Sequence, residues 1–233
     1  MTTELLNLSK NAIDIIAESA RESYPDAKKR RTNSELVKHL IEVKHFSPFE
    51  QVDIRVRIVG MSRTGEAHLI RHRHCSFNIQ SARKKALKQT QFHNYVIPAR
   101  YLHPNKQKAL QDLRTAICAG IKAYESAIEC GIPPEDARFG LVQGEKKTIL
   151  MKCNLRQARW IIETRGHKSA QWEIRQVAID LYKILNDHCP EVVGDFTLHE
   201  FNDEPEWEHG LKNHITRNLN WKESHDLDLE MKP

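Results

Sequence analysis

Residues 71–83 read RHRHCSFNIQSAR, which places three arginines, two histidines, two serines, an asparagine and a glutamine in one short segment without an acid. Such a density of permanent cations and donors suits a ligand carrying phosphates and a delocalised anionic ring, because the planar guanidinium grips oxyanions through two parallel N–H groups. A phosphorylated small molecule or a nucleic acid is the first expectation. Plainer readings compete with it. A basic run is commonly a solvated face. Arg83, Lys84, Lys85 and Lys88 extend the run in a chain of net charge +5, as a nucleic-acid binder would. Phe77 is the one aromatic inside it, a poor stacking platform, so nucleic acid is the weaker partner. His68, His72 and His74 could ligate a metal, but no HExxH motif or carboxylate partner accompanies them and none is expected.

Working outward, Val52, Ile54, Val56 and Ile58 alternate with Asp53, Arg55 and Arg57, the period of a half-buried strand, and Gly60 is expected to end it. Residues 62–73 read as a helix leading into the basic segment, whose Ser, Asn and Gln content favours a loop. Toward the N-terminus, Leu5, Leu8, Ala12, Ile15, Ile16 and Ser19 recur at helical spacing, residues 25–32 form a basic linker, and Asn33-Ser34 offers an N-cap for a helix over 35–43. Downstream, Leu110, Leu113, Ile117, Ile121, Tyr124 and Ile128 predict a long core helix stopped by Gly131 and Pro133. Residues 148–153 favour a strand, Asn154 caps a helix reaching Arg165 before Gly166, and Ser169 opens another that runs to His188. The last forty residues lack clean periodicity and read as an irregular extension.

With 233 residues, 39% hydrophobic and 29% charged, the chain can bury one sizeable core. We expect a single domain over 1–195 and a C-terminal extension of unknown role over 196–233. No stretch has the apolar length to cross a bilayer, and MTTELLNLSK lacks the basic and apolar parts of a secretory signal, so a cytoplasmic protein is expected. Cys75, Cys118, Cys130, Cys153 and Cys189 are odd in number and contain no CxxC pair, which suggests neither a disulfide framework nor a thiolate zinc site.

Arg71, His72, Arg73, Ser76, Asn78, Ser81 and Arg83 fill every fixed position of RHRxxSxNxxSxR, and the segment resembles the signature of the flavin-dependent thymidylate synthases. Companion motifs fall in the family's order. They are His45-Phe46-Ser47-Pro48-Phe49-Glu50, Ser62-Arg63, Glu135-Asp136-Ala137-Arg138, Asn154-Leu155-Arg156 and Ala170-Gln171-Trp172-Glu173-Ile174-Arg175. The resemblance spans roughly 35–190. It implies an α/β (α+β) fold with helices beside an antiparallel sheet, and a homotetramer that shares its active sites.

The same resemblance implies a chemistry. FAD is reduced by NADPH, methylene-tetrahydrofolate supplies one carbon, and dUMP becomes dTMP. On that reading His45, Ser47, Arg71, His72, Arg73, Asn78, Asn154 and Arg156 contact the flavin. His68, Arg71, Ser81, Arg83, Arg138 and Arg165 hold the nucleotide, with Arg165 steadying the pyrimidine edge that becomes anionic. Glu173 and Arg175 are read as structural. The chain departs from the family at Gln51, His68, Ile79, Lys84 and Trp160, several of which border the ligands. The alternatives are therefore a divergent enzyme that methylates or hydroxymethylates another pyrimidine nucleotide and, in a different class, a non-catalytic nucleotide or nucleic-acid binding protein.

Overall fold

The computed structural model describes residues 1–23, 31–81, 92–200 and 213–217. The strands β1 (Thr2–Leu8), β2 (Asp53–Ser62), β3 (Ser76–Ile79) and β4 (Lys146–Asn154) form one antiparallel sheet in the order β1-β2-β4-β3. Its register explains which face is buried. Ile54, Val56 and Ile58 of β2 lie opposite Cys153, Met151 and Ile149 of β4, so the alternation read from the sequence stacks three buried pairs on one face. The other face carries charges, with Arg57 3.0 Å from Glu4 and Lys152 2.7 Å from Asp53. These exposed pairs contribute at most about 1 kcal/mol each.

Against the apolar face lie α1 (Ala12–Glu22), α2 (Asn33–Glu42), α6 (Leu155–Arg165) and α7 (Trp172–His188), with the short α3 (Arg63–Leu69) at the end of β2. In α7, Ile174, Val177, Ala178, Leu181 and Leu185 recur at three and four residues, and all are buried in the common core. The mixed helix and antiparallel-sheet architecture is the one expected.

Local expectations were corrected in several places. Residues 2–8 are an edge strand paired to β2, and the helix begins only at Ala12. Gly60 does not end β2; at φ 83° it sits in a register shift between Val59 and Met61, and the strand continues to Ser62. The cap of α2 is Thr32, which forms a reciprocal capping box with Glu35. Gln171 rather than Ser169 caps α7. The long amphipathic α4 (Gln107–Glu129) buries Leu110, Ile117 and Tyr124, yet these lie outside the main core, because α4 packs on α5 (Pro134–Ala137) and neighbouring 3-10 turns. Past Pro190, where irregular chain was expected, β5 (Phe196–Glu200) and β6 (Asn213–Arg217) pair as a hairpin whose Phe196 and Ile215 join the core. Most of the basic stretch 25–32 lies outside the described residues.

Candidate functional site

The basic segment divides into two structures. Residues 71–75 turn tightly after α3, with the backbone N–H of His72 donating to Leu69 and that of Cys75 to His72. Residues 76–79 then become β3, an edge strand where a loop was expected. Alternation explains it: Phe77 and Ile79 pack inward against the core while Ser76 and Asn78 stay exposed. Ile79, one of the departures, thus serves packing.

Glu173 fixes the base of this segment. Its buried carboxylate accepts the Ser62 backbone N–H at 2.7 Å and the Ser62 hydroxyl at 2.5 Å, while Ser62 Oγ accepts the Gly65 N–H at 3.0 Å and so caps α3. A Cβ at residue 65 would stand 2.9 Å from the Met61 side chain and 3.0 Å from that carboxylate, so glycine lets the two pack closely. Arg175 is fully buried and donates to the Lys168 carbonyl at 2.7 Å. Both residues are structural, as read from the sequence.

From the turn, His72 reaches under α6. Arg165 Nε donates to His72 Nε2 at 3.1 Å, and the Gln157 amide lies 3.2 Å from Nδ1. Arginine can only donate, so Nε2 is an acceptor and the neutral ring carries its proton on Nδ1; the Gln157 amide nitrogen stands against Nδ1, and turning the amide over gives that N–H an oxygen acceptor. Burial, reinforced by the Arg165 charge, holds the imidazole pKa down to about 4. Both nitrogens are committed, which removes His72 as a metal ligand, and no group of three metal-ligating side chains occurs among the described residues.

Beside this contact opens a cavity of about 720 Å³, within the range of small-molecule sites. Its wall includes Phe46, His74, Asn154, Arg156, Trp160 and Arg217. Asn154 caps α6 as predicted, accepting the Gln157 N–H at 2.9 Å. Arg156 projects from the first turn, exposed, with Glu50 at 2.5 Å. Opposite, Arg159 is 4% exposed, donates to the Val192 carbonyl and meets both oxygens of Asp195 at 2.7 Å. Its guanidinium also stacks between the rings of Phe46 and Phe196, 4.9 and 4.8 Å away. Arg217 of β6 adds Nε to Asp195 at 2.8 Å and Nη1 to Glu163 at 3.2 Å. Burial opposes the Asp195 charge, but the hydrogen bonds and charges of Arg159, then Arg217, hold its carboxyl below the usual range.

The expected residues are therefore partly gathered. His72, Asn154, Arg156 and Arg165 cluster around α6, with Phe46 drawing in the turn whose His45 Nε2 and Ser47 Oγ lie 2.9 Å apart. That turn is set by a left-handed Lys44 closing α2, where His45 N–H donates to Leu40 and Lys44 N–H to Ile41. His68, Arg71, Arg73, Asn78 and Ser81 are exposed along the turn and edge strand. Arg138 stands apart beside α4, its Nε donating to the Glu135 carbonyl at 3.0 Å, and it does not line the cavity. Arg83, Lys84, Lys85 and Lys88 lie outside the described residues. The sequence reading missed Arg159 and Arg217 as parts of the wall and Asp195 as the carboxylate that binds both; their bonds join residues far apart in the chain, so no local pattern marked them.

Comparison with known proteins identifies the family. The sequence profile described as thymidylate synthase complementing protein matches residues 4–191. The chain is 29% identical over 231 residues to a flavin-dependent thymidylate synthase of Haloarcula marismortui, covering 82% of this chain and 93% of that protein. Against the enzyme of the same name from Pyrococcus abyssi the identity is 31% over 192 residues, covering 78% and 77%. Among solved structures, a UMP/dUMP methylase from Streptomyces cacaoi bound with 5-Br dUMP superposes with a TM-score of 0.68 at 21% identity, covering 82% of this chain and 92% of that one. The chain belongs to the thymidylate synthase complementing protein family.

Proposed function

We propose that the chain is a flavin-dependent thymidylate synthase that methylates dUMP to dTMP, with methylene-tetrahydrofolate as carbon donor and NADPH-reduced FAD as hydride source. One observation carries this reading: the signature histidine, His72, holds the α6 arginine, Arg165, and contacts Gln157, a wall residue of a cavity rimmed by a fixed cation, an amide and an exposed indole. That donor set fits a flat heteroaromatic ligand with phosphates. The flavin, when bound, supplies hydride; the rest is positioning and electrostatics.

Neutral His72 holds Arg165 by Nε without cancelling its charge, leaving both terminal nitrogens to face an anionic pyrimidine edge. A carboxylate in the same place would have neutralised it. Arg156 is exposed and its pairing with Glu50 is worth at most about 1 kcal/mol, so a phosphate can exchange for that partner. Arg71, Arg73 and Asn78, exposed on the signature, together with His45 and Ser47, complete the flavin side. Ser81, Arg83, Arg138, His68 and Arg165 make the nucleotide side. Trp160, 53% exposed on the cavity wall, offers a stacking face where the family usually has a smaller residue, and would shape the choice of pyrimidine.

A homotetramer with shared sites is part of the same reading. Arg138 lies away from the cavity of its own chain, and the adjoining Phe139 is 87% exposed beside Ile132 at 44%, apolar surface suited to a neighbouring subunit. Among the described residues no helix is long and apolar enough to cross a membrane, and all five cysteines are free thiols, in keeping with a cytoplasmic site of action. The test is the visible spectrum of the protein with FAD, taken anaerobically with NADPH and then with nucleotide and methylene-tetrahydrofolate. Bleaching by NADPH and reoxidation only with dUMP plus folate is expected. Absence of flavin binding would overturn the reading.

A further inference from the structure

Two of the five thiols, Cys75 of the signature and Cys153 of β4, lie at the end of the β3–β4 ladder. In the β3–β4 ladder the positions of paired residues are fixed by Ser76 opposite Lys152 and Ile79 opposite Ile149, so continuing one step places Cys75 opposite Cys153. The backbone N–H of Gln80 donates to Thr148, which makes that pair hydrogen-bonded; counting back by alternation makes 75 and 153 a non-hydrogen-bonded pair. Such pairs bring Cα atoms to about 4.5 Å with side chains on one face, inside the span a disulfide bridges. Their proximity agrees with the register: interaction with the Cys75 thiol, then burial, pushes the Cys153 thiol far up. Cys153 is buried and Cys75 half-buried, so an oxidant reaches Cys75 first.

We infer that Cys75 and Cys153 form a reversible redox pair whose disulfide tightens the signature turn against the start of α6 and slows the enzyme. The substrate class is a low-molecular-weight disulfide such as oxidised glutathione. The Cys75 thiolate attacks one sulfur of the oxidant, forming a mixed disulfide and expelling a glutathione thiolate. The Cys153 thiol then attacks Cys75 Sγ, its proton passing to the departing sulfur, so that the second glutathione leaves as a thiol. Two electrons leave the protein thiols and reside on two glutathiones. Closure brings the two sulfurs to an S–S bond of about 2 Å. Cys75 ends the turn that carries Arg71, His72 and Arg73, and Cys153 immediately precedes Asn154, so the closure acts on both sides of the cavity at once.

The effect on turnover rests on the function proposed above, but formation of the bond does not. The test uses full-length FAD-loaded protein carrying Cys118→Ser and Cys130→Ser, which removes the two exposed thiols. After treatment with oxidised glutathione and alkylation, non-reducing tryptic mapping should join residues 74–83 to residues 153–156, with loss of two hydrogen masses that dithiothreitol restores. Thymidylate formation should fall by about ten-fold or more on oxidation and recover on reduction, as expected when catalytic groups are displaced by an ångström. Cys75→Ser in that background should be insensitive to the oxidant, and Cys153→Ala should stop at a glutathione adduct on Cys75. A stable adduct on Cys75 without the cross-link in the parent protein would overturn the pairing. A cross-link that leaves the rate unchanged would overturn the control.

Discussion

Arg156 and Arg159 are one turn apart on α6, share a side-chain type and border one cavity, yet they live in opposite environments. The Arg156 side chain is 56% exposed with a single carboxylate beside it, whereas that of Arg159 is 4% exposed with a carbonyl, a bidentate carboxylate and two aromatic faces around it. A guanidinium held this way, with three N–H groups committed to a carbonyl and a carboxylate, has little left to offer a ligand. One arginine builds the wall; the other is available at its mouth. Charge density in a sequence therefore does not identify the ligand-binding charges; the partner set does.

The sharpest way to break this contrast is Asp195→Ala. It strands Arg159 and Arg217 in a poorly solvated site, and we expect a loss of about 3–5 kcal/mol in urea unfolding at neutral pH. A loss below about 1 kcal/mol would show that the network is ornamental. Next comes Arg165→Ala, with turnover lowered by roughly 10²–10³ while the flavin is retained, since the lost interaction faces charge that develops during reaction. Steady-state rates alongside flavin titration check it, and undiminished turnover would remove Arg165 from the chemistry.

A third test uses pH. His72 is neutral in the folded protein with a pKa of about 4, below the ordinary value of 6.5, so the unfolded chain binds the proton first as pH falls. Its contribution is complete above pH 6.5 and is lost on descending to pH 4, by up to about 3 kcal/mol. His72→Gln should flatten the stability profile across that interval; an identical slope in the variant would contradict the buried neutral ring. The smallest effect belongs to the outer arginine. Arg156→Ala should alter stability by less than about 0.5 kcal/mol while weakening flavin retention, and equilibrium dialysis separates the two.

Much of this arrangement was legible in the sequence because local signals and the fold agree. The alternation from Val52 to Ile58 gave β2, and Asn154 before an amphipathic run gave the cap of α6. Where the signals failed, the controlling interaction was distant. Leu5 and Leu8 happen to continue the helical spacing of Ala12 and Ile15, but pairing with β2 decides that residues 2–8 are extended. In β3 the inward Phe77 and Ile79 were obscured by the polar residues between them. The family motifs named the outer arginines, which the fold leaves exposed. Nothing local marked the Arg159, Asp195 and Arg217 set, because its bonds join residues 36 and 22 positions apart.

The family match stops at residue 191, yet Arg217 from the hairpin beyond it stands in the cavity wall. A segment that carries none of the signature is thus mechanically continuous with the ligand space. Altering that hairpin would recontour the wall around Arg217 while leaving every signature residue untouched. The pocket's shape is thus set in part by residues outside the motifs.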